Sequence, residues 1–102
     1  MEIKYNKTQN TLKVFFEGEL DECCASNVRD ALDNLLFSNL GCKQFMFDFS
    51  NVTFMDSTGV GLLIGRYKKI KQFNLPIYIS GASVAAEKVL TLAGLYSIMP
   101  KC

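Results

Sequence analysis

Four consecutive residues, Asp56-Ser57-Thr58-Gly59, gather the groups in this chain best suited to chemistry: a carboxylate, two hydroxyls and a glycine. They follow the apolar run Phe45-Met-Phe-Asp-Phe49 and precede Val60-Gly-Leu-Leu-Ile64, a pattern that predicts a buried strand turning straight into a helix. The first N–H groups of such a helix have no intrahelical partner and lie at the positive end of its dipole, so a hydroxyl oxygen or a phosphate is stabilised there. Ser57 is therefore a candidate phosphorylation switch, and Thr58, the second hydroxyl, reads as a cap or support. Asp56 suits an N-cap; beside Ser57 it could also orient the hydroxyl or help a kinase site engage it. Gly59 and Gly61 lack a Cβ, which would let a partner's backbone approach the turn closely or would serve only a tight turn and helix packing.

Other reactive groups are sparse. There is no histidine, and the four cysteines, at positions 23, 24, 42 and 102, form no Cys-x-x-Cys pair. Neither a zinc site nor a thiol–base pair is supported, and no nucleophile with a matching base can be named, so the chain does not read as an enzyme. Net charge is +1, and the one basic group, Arg66, Lys68, Lys69 and Lys71, reads as the solvated end of a helix complementing its dipole. Nucleic-acid binding is not indicated. Without a signal peptide or an apolar run of membrane-spanning length, the expected location is the cytoplasm, with reduced thiols.

The 102 residues, 49% hydrophobic and 21% charged, suffice for one folded domain with a single core. Residues 2–6 and 11–17 are β-like runs around the turn-prone Asn6-Lys-Thr-Gln-Asn10, predicting an antiparallel hairpin in which Leu12, Val14 and Phe16 share a face. Gly18-Glu-Leu-Asp21 is expected to leave the strand, with Asp21 as N-cap of a helix from about Glu22. Ala25, Val28, Leu32, Leu35 and Leu36 then mark one buried helical face, with Arg29, Asp30, Asp33 and Asn34 opposite. Strand 45–49 follows; its Asp48 could suggest a buried acid in a pocket but reads rather as a strand-end or sheet-face carboxylate held by hydrogen bonds. Val60, Leu63, Ile64, Tyr67 and Ile70 pattern a second helix, residues 76–80 a further strand, and Ala86, Val89, Leu90 and Ala93 a third helix closed by Gly94. Residues 96–99 suggest a short last strand. The order β-β-α-β-α-β-α-β implies an α/β fold with a mostly parallel sheet and an antiparallel edge hairpin.

Three motifs carry a resemblance that spans nearly the whole chain, residues 1–102: Gly18-Glu-Leu-Asp21, the run Phe54-Met-Asp-Ser-Thr-Gly-Val-Gly61 continuing into Leu62-Leu-Ile-Gly-Arg-Tyr-Lys-Lys-Ile70, and Leu92-Ala-Gly-Leu95. Through them the chain resembles the STAS domains, and among these the bacterial anti-sigma factor antagonists, the sporulation members most of all. The resemblance implies a non-catalytic partner switch. The unphosphorylated antagonist binds an anti-sigma factor that is also a serine protein kinase, which frees the sigma factor for RNA polymerase. The kinase, with ATP as its own co-substrate, phosphorylates the serine of the motif, here Ser57, and the product is released; a metal-dependent serine phosphatase resets it. Asp21 belongs, by the same resemblance, to the partner-contact surface, together with the turn of Asp56, Ser57, Thr58, Gly59 and Gly61. No cofactor of the chain's own is implied.

The chain departs from the pattern in two places. Glu22-Cys23-Cys24 stands where the sporulation members often have polar residues or histidine, and no further amphipathic helix follows Cys102. The alternative function is a STAS-type module that senses a nucleotide or small anion without a phospho-switch, since a glycine-containing helix start can cradle phosphate. Against it, the Asp56 turn lacks the lysine and the spacing of a phosphate loop.

Overall fold

Leu12, Val14 and Phe16 alternate along the second strand and are all fully buried, as are Phe45, Phe47 and Phe49 on the third, so one face of the sheet supplies most of the core. In the computed structural model, which describes residues 1–102, β1 (Glu2–Lys7), β2 (Thr11–Leu20), β3 (Gln44–Met55) and β4 (Ile77–Ser80) form one sheet in the order β1-β2-β3-β4. The hairpin β1–β2 is antiparallel, and the two pairs that follow are parallel, with Leu12 beside Phe45 and Phe45 beside Ile77. Three helices connect and cover these strands: α1 (Ala25–Phe37), α2 (Ser57–Lys71) and α3 (Val84–Leu92). Val28, Leu32 and Leu36 of α1, Leu62, Leu63 and Ile70 of α2 and Ala86 and Leu90 of α3 enter the same core cluster. Phe16, Phe47 and Phe49 pack as tilted and edge-on rings at its centre, with centroids 4.6 to 6.4 Å apart.

The central strands outrun the expectation. The chain does not leave β2 at Gly18, and β3 continues six residues past Phe49, to Met55. Pairing persists because β3 takes one extra residue twice against β2, once between Asp48 and Asn51 and once between Val52 and Phe54. Gly18 adopts φ 109°, a backbone geometry that a side chain would strain. These irregularities break the two-residue alternation: after Phe49 only Val52 and Met55 of β3 are buried. Asp48 is a sheet-face carboxylate, accepting from the Ser50 N–H at 2.9 Å and the Ser50 hydroxyl at 2.6 Å, with Lys13 Nζ at 3.7 Å.

The C-terminus also differs. Residues 96–99 are not a strand; Leu95–Ser97 is a 3₁₀ turn entered through Gly94 in the left-handed region at φ 70°. Leu95 and Met99 are buried four residues apart, a helical spacing. Beyond them the chain hydrogen-bonds to β4, where Ile79 N–H donates to the Pro100 carbonyl and Cys102 N–H to the Ile79 carbonyl.

A three-residue network pins this segment to α3. Lys101 Nζ and the Tyr96 hydroxyl donate to the two carboxylate oxygens of Glu87, at 2.7 and 2.5 Å. The hydrogen bond from Lys101, then that from Tyr96, holds the Glu87 carboxyl below its ordinary pKa, while burial and then Glu87 push the Tyr96 phenol upward. A carboxyl that binds its proton less tightly folded than unfolded stabilises the fold above its unfolded pKa and loses that contribution as pH falls through the folded value. Thermal melts should therefore show Glu87→Gln below the wild type at about pH 7, with the gap closing at about pH 3. A gap independent of pH would mean that the network contributes nothing through ionisation.

Candidate functional site

The parallel strands β2 and β3 end in register, Leu20 beside Met55, so the next residues, Asp21 and Asp56, emerge side by side at one edge of the sheet. Two motifs 35 positions apart in the chain are thereby brought together, each opening a helical segment with a carboxylate. Asp56 is extended, at φ −129°, and its Oδ1 accepts the N–H groups of Thr58 at 2.9 Å and Gly59 at 3.4 Å, an N-cap on α2. Asp21 Oδ1 accepts from Cys23 N–H at 3.0 Å and Cys24 N–H at 3.3 Å. The helix does not begin at Glu22, however: residues 22–24 form a turn, and α1 starts at Ala25. Asp21 caps that turn, so its carboxylate sits four positions ahead of the first residue of the helix it was expected to start.

Ser57 is the first residue of α2 and is exposed. No acidic side chain lies in the first turn of α2, and Lys68, Lys69 and Lys71 occupy its last turn, a charge arrangement that leaves the N-terminus receptive to negative charge. Asp56 next to it works against that. A phosphoryl group on Ser57 would thus be tolerated by the fold and would change chiefly the surface.

The glycines separate. Gly59 is buried, and a Cβ there would lie 3.0 Å from Leu20 Cγ and 3.1 Å from the Leu20 carbonyl oxygen. The expectation that Gly59 admits a partner's backbone is therefore corrected: the space is already filled by β2, and the missing side chain lets α2 close onto the strand that carries Asp21. Gly59→Ala should cost about 1–3 kcal/mol by overpacking. Urea unfolding of the variant checks this, and a midpoint equal to that of the wild type would refute it. Gly61, by contrast, is exposed with open space around it.

Thr58 and Gly61 face a groove of about 230 Å³ between α1 and α2, lined also by Ala25, Arg29, Leu62 and Arg66. A larger cleft of about 590 Å³ is lined by Asp21 itself, together with Glu2, Glu19, Cys23 and Cys24. Across the molecule, no three histidine, cysteine or acidic side chains converge as metal ligands, and no helix is long and apolar enough to cross a membrane.

Arg66 does not belong to the solvated basic group in which the sequence placed it. It is 4% exposed, and its Nε lies 2.8 Å from Asp33 Oδ1, while Lys69 Nζ lies 2.9 Å from Asp33 Oδ2. Asp33 Oδ1 is thus the charged neighbour of Arg66 Nε, while Arg66 Nη1 is buried without a hydrogen-bond partner. Burial lowers the guanidinium's pKa, and Asp33 acts against that shift. A signal for this existed: Arg66 falls midway between Leu62 and Ile70 at four-residue steps, on the helix face that points inward.

Comparison with known proteins follows the same lines. A family profile described as STAS domain matches residues 2–102. The anti-sigma F factor antagonist of Paenibacillus polymyxa is 30% identical over 100 residues, covering 98% of this chain and 85% of that protein. Among solved structures, the anti-sigma factor antagonist SpoIIAA in its unphosphorylated form superposes with a TM-score of 0.80 at 24% identity, over 99% of this chain and 88% of that one. The Bacillus cell fate determinant SpoIIAA in the phosphorylated form gives 0.72, also at 24% identity, over 99% and 91%. At these identities the two structures speak for the fold.

Proposed function

The chain belongs to the STAS-domain family, and on that premise we propose that it is an anti-sigma factor antagonist switched by phosphorylation of Ser57. The observation that carries the reading is an exposed serine hydroxyl at the start of α2, held by the Asp56 cap beside Asp21 at the shared end of β2 and β3. Unphosphorylated, this surface binds an anti-sigma factor and so releases a sigma factor in the cytoplasm. The anti-sigma factor is itself the serine kinase, using Mg-ATP, and a metal-dependent serine phosphatase restores the hydroxyl. The chain supplies no catalytic group; it is the substrate and the ligand of its partners.

Gly61, exposed one turn along α2, and Thr58, half-buried, extend the contact surface towards α1. Gly59 acts from beneath by seating the helix. Asp56 orders the backbone of the turn that carries the Ser57 hydroxyl through its two backbone hydrogen bonds.

Tandem mass spectrometry of the tryptic peptide from Gln44 to Arg66, after incubation with the anti-sigma kinase and Mg-ATP, tests the assignment. That peptide holds Ser50, Thr53, Ser57 and Thr58, and fragment ions separate them. A single phosphate on Ser57 is expected. An unmodified peptide alongside an active kinase control would overturn the proposal.

A further inference from the structure

Charges that no ion pair neutralises are sorted by the topology to opposite ends of the molecule. β2, β3 and β4 run parallel and the helices return along them, so strand starts and helix ends share one pole. Glu19, Asp21, Glu22 and Asp56 lie at the other pole with Ser57, and none of them is in a salt bridge. At the first pole stand exposed lysines that are equally unpaired. Lys7 closes β1, and Lys68 and Lys71 lie in the last turn of α2. Lys43 precedes β3, its N–H donating at 2.8 Å to the Asn10 carbonyl beside the β1–β2 turn. Asp33, one turn before the end of α1, is already engaged by Arg66 and Lys69. The dipole of α2 accounts for Lys68 and Lys71 but not for Lys7 and Lys43, which stand at strand ends. Two aromatic rings share this pole. Phe37 ends α1 and Phe73 follows α2; they are 39% and 42% exposed and meet edge-on, with centroids 5.8 Å apart.

We propose that this pole docks reversibly onto an anionic lipid bilayer, with Phe37 and Phe73 entering the boundary between headgroups and acyl chains and Lys7, Lys43, Lys68 and Lys71 meeting lipid phosphates. Exposed aromatic rings beside unpaired lysines are the composition of an interfacial anchor: the rings gain by leaving water, and each lysine gains from the negative surface potential. The shape of the pole selects a bilayer over other polyanions. The concavities of the molecule lie elsewhere, one at Asp21 and one around Thr58 and Gly61, so no groove here receives an acidic peptide. The exposed charges are all lysines; arginine, whose planar fork suits nucleic-acid phosphates, contributes only the buried Arg66 to this half of α2. A bilayer asks for neither a groove nor a fork. Docked in this way, the Ser57 edge faces away from the membrane, so the contact does not depend on the partner switch and leaves it open.

The test is flotation of the purified protein with large unilamellar vesicles, made of phosphatidylcholine alone or of phosphatidylcholine and phosphatidylglycerol in equal parts. Binding to the anionic vesicles and none to the neutral ones is expected, weakening as sodium chloride rises from about 20 to about 150 mM. Lys43→Ala and Lys71→Ala should each lower the partition coefficient roughly fivefold, and Phe73→Ala by a similar factor, with thermal melts showing that each variant is folded. Lys88→Ala removes another exposed, unpaired lysine, from α3, and should leave partitioning unchanged, which separates the pole from net charge. Fluorescence anisotropy with labelled polyglutamate and with a labelled DNA duplex measures the competing polyanions. Tighter binding to either of these, no flotation with the anionic vesicles, or an equal loss in Lys88→Ala would each overturn the proposal.

Discussion

Ser57→Asp is expected to weaken binding of the anti-sigma partner by roughly 100-fold or more, with little change in the stability of the free protein. The binding term follows from the proposed identity of the partner. A kinase that phosphorylates Ser57 must dock it with the hydroxyl oxygen in line with the terminal phosphate of its bound nucleotide. A negative charge at that oxygen then faces the phosphates of the nucleotide when the same interface closes, and like charges so juxtaposed cost several kcal/mol. A carboxylate carries one charge where a phosphoserine carries about 1.5 to 2, so the variant sets a lower limit on the natural effect.

The stability term is small for a different reason. Ser57 is exposed at the first position of α2, where a carboxylate gains about 0.3–1 kcal/mol from the helix dipole and loses a comparable amount beside Asp56. Calorimetric titration and thermal melts on the same samples separate the two terms. Ser57→Ala should bind as the unmodified protein does and remain bound in the presence of Mg-ATP. Wild-type affinity in Ser57→Asp would remove Ser57 as the switch; a large loss of thermal stability would mean that the turn is buried by contacts other than those described.

The site was legible because its chemistry is local. A strand-to-helix turn written Asp-Ser-Thr-Gly exposes its hydroxyl and caps itself whatever surrounds it, and the hydrogen bonds from Thr58 and Gly59 to Asp56 follow from that short stretch. The element order and the hairpin were legible for the same reason, since the apolar periods of β2, α1 and α2 stand in the sequence. What escaped depends on residues far apart. Gly59 looks like a surface glycine until Leu20, on another strand, is placed against it. The extension of β3 to Met55 was hidden by two bulges that spoil the alternation a sheet normally writes. The apolar residues at 95–99 suited a strand, yet the left-handed Gly94 and the bond from Tyr96 to Glu87 turn them into a 3₁₀ segment against α3. Asp33 and Arg66 each look solvated on their own helices, and only the α1–α2 packing makes them a pair.

That pair supports the second large prediction. Asp33→Ala should destabilise the fold by about 2–4 kcal/mol, somewhat under the 3–5 kcal/mol typical of removing one partner from a buried pair, because Arg66 keeps access to the groove and alanine is the better helix former. Arg66→Met should cost less, about 1–2 kcal/mol, since Asp33 is 22% exposed and retains Lys69 at 2.9 Å, whereas the arginine left by Asp33→Ala has no other acceptor. The ordering of the two variants is therefore set by which charge is stranded. In the double variant Asp33→Ala/Arg66→Met the stranded guanidinium is gone, and its stability should lie near that of Arg66→Met alone, giving a coupling energy of about 2–4 kcal/mol, the size of the Asp33→Ala loss, in a double-mutant cycle. Urea unfolding of the four proteins measures it. Additive losses would show that the 2.8 Å contact carries no energy of its own and that Arg66 is held by packing of its aliphatic stem between α1 and α2.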